Sequence, residues 1–287
     1  MTLHHQKSYK YQEKLFRAIC LGSALLPLLI LSVLLWSIVE KAAPRLHWQF
    51  LTSYPSRHAT QAGILPGLVG SFYLIVLTVV LALPLGIGAA IYLEEYGKHT
   101  RFGVLLEIII RNLAGVPSII YGLLGLSIFV RALHMDRSIL AGACTLAILV
   151  LPIVIISSRE ALRTVSKHYH EASLALGATK WATIRYVILP MAAPGMLTGA
   201  ILAISRAMGE TAPLVVIGAL TFVSFLPDSL FSPFTVLPMQ IFNWVSRPQQ
   251  EFVANAAGGI VMLLIVIVAL NLIAVLLRNK LQKRTIA

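Results

Sequence analysis

The chain has 287 residues, 58% of them hydrophobic and only 12% charged, against roughly a quarter charged in an ordinary soluble domain. That balance excludes a water-soluble globular fold. The formal net charge is +12, but the 23 Lys and Arg are scattered between long apolar runs and form no basic face, which excludes nucleic acid as a partner. Only Cys20 and Cys144 occur, both inside apolar stretches, so neither a disulfide framework nor a cysteine-built zinc site is available.

A chain solvated by lipid must satisfy its backbone internally, and about 20 apolar residues at helical rise cover the hydrocarbon layer. Six runs meet that need: Ala18 to Val39, Gly67 to Leu93, Val104 to Val130, Ser138 to Ser158, Met191 to Leu220 and Asn255 to Leu277. The expectation is an all-α, polytopic protein with six transmembrane helices embedded in membrane lipid. The first run follows a basic N-terminus as a signal peptide would, yet it is long and no small-x-small cleavage site follows. It is expected to stay attached as an anchor. The organisation is then an N-terminus over 1–17, a first span over 18–39, a transmembrane core over 67–277 containing a long loop at 159–190, and a tail over 278–287.

Cytoplasmic segments hold the excess of Lys and Arg. With both termini inside, segments 1–17, 94–103, 159–190 and 278–287 carry 15 basic residues in 69 positions, while the outer segments 40–66, 131–137 and 221–254 carry 6 in 68. Equal lengths make the bias clear, and both termini are expected in the cytoplasm. Two basic residues, Arg111 and Arg206, fall inside spans.

The inner segment 159–190 is too polar to span and reads as two short helices around a turn. EASLAL (Glu171 to Leu176) is a good helix former, Gly177 can end it in a left-handed C-cap, and Thr179 can N-cap KWATIRYVI. Pro190 then opens the fifth span, where a helix-starting proline is tolerated. Such an elbow suits docking to a soluble partner; an amphipathic hairpin held at the interface by Trp181 and Tyr186 is the alternative.

Arg206 and Glu210 lie about 14 residues, or roughly 21 Å, from Ala192 at the inner end of the fifth span. A charge at that depth costs on the order of 3 kcal/mol unless paired or wetted, and such residues usually face a cavity or pathway. Their i, i+4 spacing puts them on one helix face. Guanidinium is always charged, planar and able to fork around an oxyanion, so Arg206 can draw an anion into the pathway while Glu210 neutralises it when no anion is bound. A purely structural ion pair is the alternative. Hydroxyls of Ser205 and Thr211 flank the pair, but in membrane helices they more often bond the preceding carbonyl. Arg111, about seven residues into the third span and one turn after Glu107, either joins the pathway or snorkels to the inner interface. Gly115, Pro117, Gly122 and Gly125 permit a broken helix there.

Enzyme readings fail on the residues. HEASL places Leu174 where a zinc-protease helix needs its second His, so His168, His170 and Glu171 are expected to hold no metal and to be solvated elbow residues. No phosphate-binding Gly-x-x-x-x-Gly-Lys-Ser/Thr run exists, so the chain cannot hydrolyse ATP by that chemistry.

The segment EASLALGATKWATIRYVILP resembles the EAA signature of ABC importer permeases. Glu171, Ala172, Gly177, Leu189 and Pro190 match, with Ser173 in place of the second Ala and Val187 in place of the Ile. RAMGETAP (Arg206 to Pro213), LAGVPSIIYGLLG (Leu113 to Gly125), LPLGIGAAIYLEEY (Leu83 to Tyr96) and FLTSYPSR (Phe50 to Arg57) are similar to permeases of the high-affinity phosphate importer. LPMQIFNWVSRPQQEFVANAA (Leu237 to Ala257) resembles its A-type rather than its C-type permease.

The resemblance implies a type I ABC importer permease in a bacterial cytoplasmic (inner) membrane, without cofactor or enzymatic activity of its own. It also implies a second related permease of C-type, two copies of an ATPase subunit whose cleft receives the elbow, and a periplasmic or extracytoplasmic phosphate-binding protein. In that family the Arg and Glu matched by Arg206 and Glu210 are taken as essential to phosphate passage. Another oxyanion, such as sulfate or molybdate, stays open as cargo. So does a self-contained secondary anion carrier, although that would show two repeated halves, and none is visible.

The basic-residue count generates a first test. A reporter fused after Lys167 should be cytoplasmic and one fused after Asp228 exported; reversal of both in an alkaline phosphatase and fluorescent-protein assay would overturn the orientation.

Overall fold

The computed structural model describes residues 2–286 apart from His99 and Thr221, with side chains over 12–280 apart from the same two positions. Met1 and Ala287, the outermost positions of the expected cytoplasmic termini, lie outside the described residues, as do the side chains of Lys7, Lys10, Lys283 and Arg284.

The first helix, α1, runs over Thr2–Ala42, and α2 is the short Trp48–Thr52. α3 spans Leu65–Ile91 and is prolonged by a π-turn over Tyr92–Tyr96. α4 (Arg101–Leu113) and α5 (Ser118–Gly125) follow, the latter prolonged in π geometry to Ala132. α6 covers Ile139–Arg163, α7 Lys167–Ala175 and α8 Lys180–Thr183, and a π-turn over Ile184–Ile188 leads into α9, Leu189–Gly209. α10 (Ala212–Ile217), α11 (Leu237–Val245) and α12 (Glu251–Ile286) complete the chain. Five helices are long and apolar enough to cross a membrane, and the bent pair α4 and α5 makes a sixth crossing. The all-α, six-span expectation therefore holds, with no β-strand among the described residues beyond the isolated pairing of Ser138 with Pro233.

Two spans differ from their expected form. The third, expected as one helix from Val104 to Val130, bends by 107° between α4 and α5. Pro117 lacks an N–H and disfavours helical geometry in the residue before it, so the helix stops before it and restarts at Ser118. The fifth, expected to continue to Leu220, ends at Gly209 because Pro213 could sit in its interior only at a cost of about 3 kcal/mol.

The centre of the bundle is α3, α6 and α9 packed side by side. Leu74, Ala82, Leu146, Val150, Val154, Ala203 and Ala207 are buried there; the small residues among them let the helices approach closely. α1 packs along α12, and the hydrophobic windows of both are exposed on the isolated chain, as lipid-facing helices must be.

The segments 40–66 and 221–254, expected as outer connections, build a packed cap. Phe50, Ile64, Leu237, Trp244 and Phe252 are buried together, with the rings of Phe50 and Trp244 5.8 Å apart. Gln240 Nε2 donates to the Gly63 carbonyl at 2.8 Å, Asn255 Nδ2 to the Ala59 carbonyl at 2.9 Å, and the Leu237 amide to Ser71 Oγ at 2.9 Å. Arg45 donates to the carbonyls of Thr60 and Ala62. The cap thereby fastens the connection before α3 to the one before α12.

Trp244 is 2% exposed, so Trp244→Ala should cost about 3–5 kcal/mol. In detergent-purified protein this should appear as a lower melting temperature and faster tryptic cleavage at Arg57, while helix content, held by the spans, is retained.

Candidate functional site

α9 begins with Pro190 in its first turn and carries Arg206 in its last. Glu210 caps it in extended geometry (φ −75°, ψ 121°), and α10 restarts two residues later with Pro213 in its first turn. The expected ion pair forms, Arg206 Nε donating to Glu210 Oε1 at 3.3 Å. It differs from the expectation in one respect: Glu210 stands just past the end of the helix instead of on its face. The side chain of Arg206 is 45% exposed and that of Glu210 only 17%. The arginine thus faces away from the chain's own bundle, while the carboxylate borders a recess lined by Ser71, Leu74, Ile75, Met208, Leu214 and Val236.

The second broken span lies against this break. α5 packs on α10 so closely that a Cβ on Gly122 would fall 2.7 Å from Pro213 Cα. The bend before α5 is stabilised by Tyr121, which is buried and donates its hydroxyl to the Leu113 carbonyl at 2.7 Å. Two interruptions of helical backbone therefore stand side by side. Non-helical backbone at membrane depth is tolerated where it is buried in protein or lines a wet cavity.

Ser205 Oγ donates to the Ile201 carbonyl at 2.8 Å, as expected for a hydroxyl in a membrane helix, and also lies 2.6 Å from Asn271 Oδ1. Asn271 escaped the sequence reading. The signal was an amide in the middle of the apolar sixth run, and what it does is tie α12 to α9 one residue before Arg206.

Arg111 is drawn elsewhere. Its Nη2 lies 2.7 Å from Glu107 Oε1, and its side chain is 63% exposed. Glu107 also receives Arg159 at 3.2 Å, and Arg159 reaches Glu94 at 3.4 Å, which Arg163 and Lys98 contact at 2.9 and 2.8 Å. The structure thus joins Arg111 to a charged cluster near the end of α6, not to the pair at Arg206. Sequence reading missed the cluster because Glu94, Arg159 and Arg163 sit at the ends of apolar runs and look like ordinary flanking charges.

The elbow takes the expected form. Gly177 has φ +83°, and the Gly177 and Ala178 amides donate to the carbonyls of Leu174 and Ser173 at 2.9 and 3.2 Å, which is the paired bonding of a Schellman C-cap. Thr179 Oγ1 accepts from the Ala182 amide and caps α8. Ser173, where the signature has Ala, places its hydroxyl 2.9 Å from that of Thr183 and links the two arms. Glu171 and Ala172 are exposed, Leu189 half-buried and Pro190 exposed. Leu176 and Trp181 present large apolar surfaces at 90% and 56% exposure. His168 lies beside Glu171 and His170 beside Glu95, each at 3.9 Å, and no group of three metal-ligating side chains occurs among the described residues.

A membrane bundle with a broken, charged span and a helical elbow defines the class: a multi-pass permease component of a transport system. Residues 82–287 match the family described as binding-protein-dependent transport system inner membrane component, and the chain belongs to it. It is therefore a multi-pass inner-membrane protein and a transport subunit. It is 33% identical over 264 residues to a probable ABC transporter permease protein, YqgI, of Bacillus subtilis, covering 87% of this chain and 89% of that one. It is 31% identical over 265 residues to the phosphate transport system permease protein PstA of Haemophilus influenzae, covering 92% of each. PstA 1 of Mycobacterium tuberculosis strain H37Rv is 34% identical over 261 residues, 89% of this chain and 82% of that one. Among solved structures, a bacterial alginate ABC transporter bound to its periplasmic protein shares the fold, with a TM-score of 0.67 at 13% identity over 92% of this chain and 93% of that one. So does the inward-facing MetNI methionine transporter, with a TM-score of 0.59 at 18% identity, 76% and 94% covered.

A Cβ at Gly177 would meet nothing within 4 Å, so Gly177→Val should act through backbone geometry alone, at about 1–2 kcal/mol. The expected result in purified protein is an unchanged melting temperature for the bundle together with faster proteolysis at Lys180.

Proposed function

We propose that this chain is the A-type permease subunit of an ATP-driven importer of inorganic phosphate and forms half of its translocation pathway. The observation that carries the reading is the Arg206–Glu210 pair at the break of the fifth span, in a chain whose relatives include phosphate transport system permeases. Phosphate is a compact anion with oxygens that a planar guanidinium can grip in pairs. With no anion present, Glu210 neutralises Arg206. An arriving phosphate competes for the guanidinium, and the like charge of Glu210 weakens its hold enough to let it leave.

Arg206 is exposed because one chain supplies one wall. A second related permease, of C-type, closes the other side. The elbow, Glu171 to Pro190, sits in the cleft of one of two ATPase subunits, and its exposed Leu176 and Trp181 supply apolar contact there. ATP binding closes the ATPase pair, the elbows move with their clefts, and the spans rock to open the pathway toward a phosphate-loaded extracytoplasmic binding protein. Hydrolysis by the partner subunits resets it. Both termini and the elbow face the cytoplasm in this arrangement, and the cap faces the binding protein. Arg111, held by Glu107, belongs to the charged cluster at the end of α6 and not to the pathway.

The test uses a strain lacking this chain, complemented with variants, with phosphate uptake measured beside the membrane abundance of the assembled complex. Arg206→Lys keeps a charge but loses the fork, Arg206→Ala strands Glu210, and Arg206→Ala with Glu210→Ala removes both charges. All three should assemble and move phosphate poorly. Normal uptake by the double variant would sink the ligand role, and restoration by wild type of sulfate or molybdate uptake instead of phosphate uptake would sink the cargo.

A further inference from the structure

The elbow leaves the bundle between the ends of α6 and α9, and α8 runs through the π-turn Ile184–Ile188 into α9 as one continuous stretch. Among the described residues, every polar bond from α7 or α8 to a side chain or carbonyl outside 166–183 ends on the π-turn after α3. Lys180 Nζ donates to the Glu95 carbonyl and stands 4.4 Å from the centroid of the Tyr96 ring, while His170 Nδ1 lies 3.9 Å from Glu95 Oε2. Consecutive helical positions point about 100° apart, and Glu94, the neighbour of Glu95, is turned the other way. Its side chain is 7% exposed and is held by Arg163 at 2.9 Å and Arg159 at 3.4 Å, both on α6. Arg159, 8% exposed, continues to Glu107 of α4 at 3.2 Å. Buried pairs of this kind are costly to break one partner at a time, so the turn moves with α6 and α4. α4 leads through its bend to α5, which packs on α10 beside the Arg206–Glu210 break.

We propose that the turn Glu94–Glu95–Tyr96 is a second joint, beside the continuous backbone from α8 into α9, that carries elbow motion to α6 and α4, held on one side by Lys180 and on the other by Arg159 and Arg163. The inference rests on the reading that an ATPase drives the elbow. Lys180 and Tyr96 are positioning residues: they touch no substrate and hold the moving part to the part that must follow it. A side chain that merely stabilised the fold would lower assembly, uptake and hydrolysis together. Loss of a joint separates hydrolysis from uptake.

The experiment uses the complete transporter in liposomes, with phosphate uptake and ATP hydrolysis measured on one preparation in the presence of phosphate-loaded binding protein. Lys180→Met with Tyr96→Leu removes both the hydrogen bond and the cation–π contact, and uptake per ATP should fall about tenfold while hydrolysis continues. Lys180→Arg, which keeps donor and cation, should restore the ratio. An unchanged ratio in the double variant would overturn the joint, as would loss of hydrolysis in step with uptake. An independent measurement covers failure of that variant to assemble: Glu95→Cys with Lys180→Cys, bridged by a short thiol cross-linker in a background without Cys20 and Cys144, should keep turning over, because joined parts move as one. Uptake blocked by the bridge and restored by cleaving it would also overturn the proposal. A wild-type complex that hydrolyses ATP without moving phosphate would instead refute the proposed function, and is read before any variant.

Discussion

In hydrocarbon every backbone N–H and C=O needs a partner inside the protein, and the places where this chain leaves that rule under strain organise the rest of it. Four of its crossings continue as unbroken helices, although in three of them Pro27, Pro84 and Pro152 each remove one backbone bond. The other two stop at Pro117 and Pro213, at points where water is not on hand to cap the freed groups. The protein resolves this by bringing the two interruptions together, α5 against α10, with the Tyr121 hydroxyl on the Leu113 carbonyl.

The charges inside the bundle divide by surroundings. At the α6 end, Glu94 and Arg159 are nearly buried and are paired within the chain, an arrangement that resists separation and suits transmission of movement. At the α9 break, Arg206 and Glu210 form a single pair, with the arginine 45% and the carboxylate 17% exposed. Arg111 joins the first group through Glu107, although its own side chain is 63% exposed. The same residue types thus form a connected cluster in one place and an isolated pair in the other, and the difference is the number of partners.

The cap joins two stretches far apart in the chain. FLTSYPSR supplies Phe50, and the stretch from Leu237 supplies Trp244 and Phe252, which pack on one another. Gln240 and Asn255 then bond carbonyls of Gly63 and Ala59. Each segment alone is a polar-flanked connection without a core; together they bury one.

The number of spans, the elbow with its left-handed Gly177 and capping Thr179, and the pairing of Arg206 with Glu210 were legible in the residues, because each depends on local chemistry: apolar run length, backbone freedom at one position, and charges four residues apart. Composition alone excluded a soluble fold, since too few charged groups were present to cover one. The bend at Pro117 was permitted by sequence, but its angle, and the stop at Gly209, required knowing that α5 and α10 meet. The cap, the Ser205–Asn271 tie and the Glu94–Arg159–Glu107 cluster join residues dozens to nearly two hundred positions apart. No local propensity encodes them, because their energy arises only when separate helices exclude lipid and water from between them; that exclusion is decided by the tertiary structure.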